Sequence, residues 1–269
     1  MLRRLMDKYA KTFDRDFVVC FANTGREHNA TLDFGHEVEA RWGVQIVWLE
    51  YCRDENGNHS QRVVNYETAS RRGQWGAFDE YLSRAKSLPS VGFRGCSSDL
   101  KTRPMKRWLK SQGVESWNDY IGIRADESLR TLQIRSQCPK YIVPHFPLDT
   151  DGITKRDVDA FWDAQPFKLN IPNYRGNCDL CFLKAKWKRL AIMRDEPEHA
   201  QWWIEQERKM RARGVTGNGA LWIEGQSYEG HMADATHPEF QFDTTEQDIA
   251  CSCVEKGYLP DEDKGLNHY

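Results

Sequence analysis

The chain has 269 residues, of which 29% are charged and 39% hydrophobic, and its formal net charge is −2. These values are typical of a globular protein with one large α/β domain, or with a core and an appended piece. No apolar run approaches the roughly 20 residues that a membrane helix needs, so we expect no membrane association. The near-neutral charge argues against a broad nucleic-acid-binding surface, although local basic regions leave nucleic acid possible as a partner.

The first half of the chain predicts a strand–helix–strand unit after an opening amphipathic helix at residues 2–9. Residues 17–22 form a continuous apolar run, typical of a strand that is buried on both faces, and polar Asn23, Thr24 and Gly25 follow it. A helix at residues 34–42 with Gly43 as its C-cap leads to a second strand at residues 44–49. The short loops between these elements indicate a right-handed parallel crossover. This arrangement places the polar loop at residues 23–25 at the carboxyl edge of a sheet.

The pattern of the second half of the chain predicts a less regular alternation of helices and strands. After a polar excursion at residues 53–60, we expect helices at 78–85 and from Pro104, strands at 120–123 and 141–148, and helices after Thr154, around Cys178 and from Pro197. Pro144 is expected to place its strand at an edge. Beyond a flexible break at residues 213–219, the tail is polar and we expect it to be irregular.

Eight cysteines in a chain without a signal-peptide core predict a cytoplasmic protein whose thiols serve metal binding or catalysis rather than disulfides. Cys178 and Cys181 have the spacing of half a metal site. The ligands that could complete it are Cys96 and the close pair Cys251 and Cys253. Thiolate sites suit zinc and iron–sulfur clusters alike, but ligands spread over distant segments favour a cluster. Three other cysteines are interpreted as structural: Cys20, Cys52 and Cys138.

Residues 124–130 combine two arginines and a hydroxyl after a predicted strand. Arg124, Ser128 and Arg130 at the mouth of a sheet would suit a phosphate or sulfate group. The alternative is an ordinary helix start in which Asp126 and Glu127 neutralise the arginines, and the spacing alone favours this alternative.

Taken together, five segments resemble the phosphoadenosine phosphosulfate reductase family, in the adenine nucleotide alpha-hydrolase group that shares the PP-loop ATP pyrophosphatase fold. The resemblance covers residues 1 to about 186. The segments are VVCFANTGREHNAT, CSSDLKTRPMKRWL, GIRADESLR, HFPLDTDGITKRDVDAFW and GNCDLC. Asn23 stands where the family has aspartate, and Gly95 replaces the first of two adjacent cysteines that are common in the iron–sulfur branch.

The resemblance implies an α/β fold, with a parallel sheet covered by helices on both faces. We expect a nucleotide-binding domain at residues 1–175 and a cysteine-bearing, helical and irregular region at 176–269. It implies an adenosine nucleotide (ATP or a sulfated form) as ligand, a 4Fe–4S cluster with zinc as the alternative, and an electron donor or sulfur acceptor as a partner. The implied nucleotide- or anion-binding residues are Asn23, Thr24, Gly25, Thr31, Lys101, Arg124, Ser128 and Arg130, and the implied metal ligands are Cys96, Cys178, Cys181 and Cys253, with Cys251 the alternative to Cys253.

Two departures from the family bear on the expected activity. The sequence starts inside the first helix of the family pattern, so the first strand and the phosphate loop are missing from it. The last residues also lack the family's C-terminal nucleophilic cysteine, unless Cys251 or Cys253 serves in its place, so the catalytic residues are unknown. The resemblance therefore implies a reductase-like iron–sulfur enzyme acting at a sulfate or phosphate, by sulfonucleotide reduction or ATP-dependent sulfur transfer. The alternatives are a non-catalytic nucleotide- or partner-binding protein on the same scaffold, and a zinc-stabilised structural domain.

Overall fold

The computed structural model of the chain describes residues 1–172, 174–176 and 178–237. Its mixed α/β architecture agrees with the predicted class. The helices and strands are α1 (Leu2–Lys8), α2 (Phe13–Asp16), β1 (Val19–Asn23), α3 (Asn29–Trp42), β2 (Ile46–Arg53), β3 (His59–Val64), α4 (Ala77–Ser83), α5 (Gly95–Ser97), α6 (Arg103–Ser111), β4 (Trp117–Tyr120), α7 (Ser128–Gln137), β5 (Ile142–His145), α8 (Pro147–Thr150), α9 (Lys155–Asp163), α10 (Lys186–Asp195), α11 (Pro197–Ala212) and α12 (Tyr228–Thr236). A π-helical turn, Ser98–Thr102, joins α5 to α6.

The described chain divides into two compact units. Unit 1 contains residues 1–17 and 109–168, and unit 2 contains residues 18–108 together with the described part of 169–237. The boundary predicted between residues 175 and 176 stays a prediction. Among the described residues, no helix is both long and apolar enough to span a bilayer.

Unit 2 is built on a three-stranded sheet in the order β1-β2-β3. β1 and β2 are parallel, with Val19 opposite Ile46 and Asn23 opposite Glu50, which confirms the predicted crossover through α3. β3 pairs with β2 in the antiparallel direction and was missed by the sequence analysis, which predicted only a polar excursion there. The dipeptide Asn56-Gly57 is the signal that could have identified this hairpin, since Gly57 has a positive φ of 79°.

The main core of unit 2 is aromatic and lies where α4, α10, α11 and α12 meet. Trp203 and Trp222 have ring centroids 4.5 Å apart, and the Trp203 ring stacks on Tyr228 at 5.7 Å. All three side chains are almost completely buried. Trp203 and Trp222 therefore serve packing of this core. α12 was missed, because the sequence analysis predicted an irregular tail there.

Unit 1 contains a two-stranded parallel sheet, β4 with β5, in which Trp117 lies opposite Ile142. The helix predicted after Thr154 is present and begins with a capping box: Thr154 Oγ1 lies 2.6 Å from Asp157 Oδ2, and the Thr154 backbone N–H donates to the same oxygen at 2.9 Å. Phe13 stacks on Phe17 in this unit.

Candidate metal and anion site

Three of the four predicted metal ligands lie in unit 2. Cys96, Cys178 and Cys181 all pack against the main core. The pKa of the Cys178 thiol is raised well above its ordinary value by a hydrogen bond with Cys181 and by burial. Burial and the neighbouring Cys181 raise the pKa of the Cys96 thiol to about 12. The fold therefore brings Cys96 within electrostatic reach of a turn that lies about 80 positions further along the chain.

The cysteine turn differs locally from the prediction. We expected a helix to open at Cys178, but residues 178–184 form turns and α10 begins only at Lys186. The turn is held by its contacts: Asp179 Oδ1 accepts hydrogen bonds from Leu180 N at 2.8 Å and from Trp203 Nε1 at 2.9 Å. Gly176 precedes it with a φ of 58°, and a Cβ at this position would lie 3.0 Å from Lys184 Nζ. Glycine is thus favoured at residue 176 by its backbone conformation, since the lysine tip could move away from a Cβ.

The cysteines lie beside the segment that follows the β1 loop. Glu27 forms a β-bridge with Cys178, and Asp179 N approaches Arg26 O at 3.4 Å. Glu27 is buried, and its carboxylate is 3.4 Å from Lys101 Nζ. Although burial opposes its charge, Glu27, Cys178 and Cys96 raise the pKa of Lys101. Lys101 therefore supplies positive charge to the cysteine site.

A buried cation, Arg189, also contacts the turn. Its guanidinium donates to the carbonyl oxygens of Phe182 and Lys184. Burial lowers the pKa of Arg189, whereas the charges of Tyr228 and Cys181 favour its charged form. α10 therefore directs this arginine inward, where its side chain is buried.

No group of three or more His, Cys, Asp or Glu residues within the described part of the chain has the arrangement of a metal site. Cys251 and Cys253, which were predicted to supply the fourth ligand, lie outside the described residues. The three remaining thiols are the donor type that an iron–sulfur cluster or zinc requires. The donor chemistry fits such a group, and a complete ligand set stays a prediction.

The loop predicted to contact a nucleotide is tied into the protein. The Asn23 side chain is fully buried, and its Nδ2 donates to Glu50 Oε1 at 2.6 Å and to Ser70 O at 2.8 Å. Thr24 donates from both its N–H and its hydroxyl to Glu27, at 2.9 and 2.7 Å. Gly25 N donates to Asn23 Oδ1 at 3.1 Å. These contacts fix the loop at the carboxyl end of β1.

Thr31 differs from its neighbours in this predicted set. It lies in the first turn of α3 and is 8% exposed. Its hydroxyl is buried without a hydrogen-bond partner in the described structure. A buried hydroxyl in this state retains an unused donor for a ligand or water.

The other predicted anion-binding residues lie in unit 1. Arg124 pairs with Asp126 at 3.0 Å and with Glu127 at 3.4 Å. Arg130 donates to Glu127 at 3.0 Å, and the Ser128 hydroxyl lies 2.5 Å from Asp149 Oδ1. These ion pairs agree with the alternative interpretation of this segment, in which Asp126 and Glu127 neutralise the arginines at the start of a helix. Binding of an anion by this segment stays a prediction.

Comparison with known proteins gives two distant relatives. The chain is 26% identical over 189 residues to the uncharacterized nin region protein ORF290 of Escherichia phage lambda, which covers 68% of this chain and 61% of the lambda protein. It is 27% identical over 118 residues to the uncharacterized protein MJ0066 of Methanocaldococcus jannaschii, covering 44% of this chain and 19% of that protein. No family model and no solved structure matches the chain. The chain thus spans less than two thirds of the length of either relative, and the resemblance to the reductase family stays a prediction.

Proposed function

We propose that the chain is an iron–sulfur enzyme that resembles phosphoadenosine phosphosulfate reductases. It binds an adenosine nucleotide and acts at the sulfate or phosphate of that nucleotide, by sulfonucleotide reduction or by ATP-dependent sulfur transfer. The observation that carries this proposal is that Cys96, Cys178 and Cys181 pack against one core, and that Cys178 forms a β-bridge with Glu27 in the segment after the β1 loop. The parallel β1–β2 pair with a polar loop at its carboxyl end supports an adenine nucleotide alpha-hydrolase-like fold.

The surroundings of the cysteines suit a negatively charged thiolate-bound group. Burial raises the thiol pKa values, so thiolates need compensating positive charge or a metal that displaces their protons. Lys101 and Arg189 supply positive charge at this position. When bound, a cluster would carry electrons or position sulfur. The role of this chain is to hold the thiols apart from bulk solvent and to offset their charge.

The first test is the metal content of the full chain purified without oxygen. We expect visible absorption, with about four iron and about four sulfide per chain. Cys96→Ser, Cys178→Ser and Cys181→Ser should each lose most of this absorption. Cys138→Ser is the matched control, because Cys138 lies in unit 1, and it should keep the absorption. A colourless protein with stoichiometric zinc would refute the cluster and support a zinc-stabilised domain.

A non-catalytic nucleotide-binding protein is the second candidate. It is favoured by one observation: Arg124 and Arg130, which were predicted to hold the reacting anion, form ion pairs with Asp126 and Glu127 instead. Calorimetric titration with ATP and with a sulfated adenosine nucleotide, followed by a product assay with a reductant and a sulfur acceptor, separates the two candidates. Binding without product formation would favour the non-catalytic protein.

A further inference from the structure

Unit 2 contains a second group of cations, which the sequence analysis did not identify. Two arginines, Arg72 and Arg175, lie on either side of Glu196, and their side chains are only 9% and 13% exposed. The Arg175 guanidinium donates to Glu196 Oε1, and Arg72 Nη1 lies 4.0 Å from Glu196 Oε2. His199 completes the group: its Nδ1 lies 2.6 Å from Glu196 Oε2 and 3.2 Å from Arg72 Nη1.

One further carboxylate contacts this group from the cysteine turn. Asp179 Oδ2 lies 3.4 Å from Arg72 Nε. The other oxygen of Asp179 is already used by Leu180 N and Trp203 Nε1. The Nε atom of Arg175 is buried and has no hydrogen-bond partner in the described structure, and the buried Arg72 Nε has the ion pair with Asp179 but no hydrogen bond. Such donors are costly to bury unless a ligand or water accepts from them.

Two helices begin at this group. Glu196 is the N-cap of the 16-residue α11, and no side-chain hydrogen bond caps that helix. His28 is the N-cap of α3, and the charges of Arg72, Glu196, Arg175 and His199 all act on its imidazole. Burial and the arginines lower the pKa of His28. Helix N-termini carry partial positive charge and attract anions, so their effect adds to that of the two guanidiniums.

Glu196 occupies the position that an anion would take. Although burial alone would raise its pKa, the hydrogen bond from Arg175 and the charges of His199, Arg175 and Arg72 lower the pKa of Glu196, so the group is an anion. Its carboxylate contacts two guanidiniums and an imidazole at the start of a helix. Phosphate and sulfate groups are recognised by the same set of donors.

We infer that Arg72, Arg175 and His199 form a binding site for a phosphate or sulfate group, which Glu196 occupies in the absence of ligand. The site deepens the proposed function, because it places the anionic end of the ligand beside the cysteine turn in unit 2. The inference depends on the proposed function in one respect, namely that the rest of the ligand is an adenosine group. A tetrahedral oxyanion would displace Glu196 and accept hydrogen bonds from the arginines.

The decisive variant is Glu196→Gln, since it removes the competing charge and its expected effect is a gain. Calorimetric titration of the full chain with inorganic phosphate, inorganic sulfate, adenosine 5′-monophosphate and uncharged adenosine should show about tenfold tighter binding of the three anions than in the unchanged protein. Binding of adenosine should not change. Glu198→Gln is the matched control: it removes an exposed carboxylate from the same helical turn and should produce no gain.

The loss variants are Arg72→Gln and Arg175→Gln, each expected to weaken anion binding by about tenfold or more. Arg194→Gln, which removes an exposed arginine that pairs with Asp195, should not change it. Tighter binding of adenosine 5′-monophosphate than of inorganic phosphate would show that the same ligand also makes adenosine contacts. The inference is overturned if Glu196→Gln binds anions no better than the unchanged protein, or if the arginine variants bind them equally well.

Measuring the metal content of the same protein distinguishes failure of the anion site from failure of the proposed iron–sulfur enzyme. If anion binding follows Glu196 and the arginines in a protein without iron, the site stands and the iron–sulfur enzyme does not. If iron and visible absorption are present but none of the anions binds to the unchanged protein or to Glu196→Gln, the enzyme proposal survives this test and the anion site is refuted.

Discussion

Glu207 in α11 shows how burial acts on a single carboxyl group. Its side chain has almost no contact with solvent, and it accepts hydrogen bonds from the backbone N–H groups of Trp222 and Tyr228. Burial raises the pKa of Glu207 to about 7, although these hydrogen bonds and Arg211 oppose the shift. The group therefore holds its proton in the folded chain over a pH range in which the unfolded chain has lost it.

This difference predicts a pH dependence of stability. The folded pKa of Glu207 lies above its unfolded value, so its contribution to stability is complete below about pH 4.5 and is lost as the pH rises through about 7. The glutamine side chain of Glu207→Gln does not ionise, so the variant lacks this pH-dependent contribution to stability. Urea unfolding at a series of pH values should show the unchanged protein losing stability relative to the variant over this interval. A constant difference between the two proteins would show that Glu207 ionises normally.

Other important residues could not be identified from local sequence. Glu27 and Arg72 belong to a loop and a connection whose patterns resemble those of many surface segments. Their roles arise from contacts with Lys101, Asp179 and Glu196, which are distant in sequence. Cys178 and Cys181 were identifiable because their spacing is itself unusual.

At the scale of elements, α3 is the helix whose end the sequence predicted well. Gly43 follows its last residue with a φ of 64°, and its N–H donates to Glu39 O at 3.0 Å. A left-handed residue after a helix favours glycine because a Cβ there crowds the backbone. Short apolar strands were also predicted, with boundaries displaced by a few residues. β3 and α12 were missed, because the hydrophobic pattern of each is weak and packing decides its conformation.

We expect Gly43→Ala to destabilise unit 2 by about 1 kcal/mol, because alanine is strained at this φ. A Cβ at residue 43 would meet no atom within 4 Å, so crowding by other side chains should add nothing. Gly92→Ala is the control, since residue 92 is equally open and its φ is not positive. Chemical denaturation of both variants measures the difference, and equal stability of the two would contradict the conformational argument.

At the scale of the whole molecule, the residues predicted to bind metal and those predicted to bind an anion are divided between the two units. Unit 2 holds the three described candidate metal ligands, Lys101 and the β1 loop, and unit 1 holds Arg124, Ser128 and Arg130. Each unit has its own buried apolar residues. Local changes at the cysteines should therefore act mainly on the stability of one unit.

Metal removal should make this division visible. If a metal group joins Cys96 to the Cys178–Cys181 turn, a chelator should reduce amide-exchange protection around residues 95–102 and 178–184 by roughly tenfold or more, because binding energy is also folding energy. Protection in β4 and β5 should stay unchanged. Hydrogen exchange with mass spectrometry measures both regions in one sample. Equal loss in both units, or no loss in either, would contradict a metal group confined to unit 2.

The sequence by itself determined the α/β class, the parallel β1–β2 crossover, several helix ends and the cysteine pair. These follow from local hydrophobic periods, caps and spacing, which act over a few residues. Only the tertiary structure decided that Cys96 lies near Cys181, that Asp126 and Glu127 pair with the arginines of unit 1, and that Arg72 and Arg175 share Glu196. Such contacts form when separate elements pack against one another. A local sequence pattern does not determine which distant residue a charged side chain will contact.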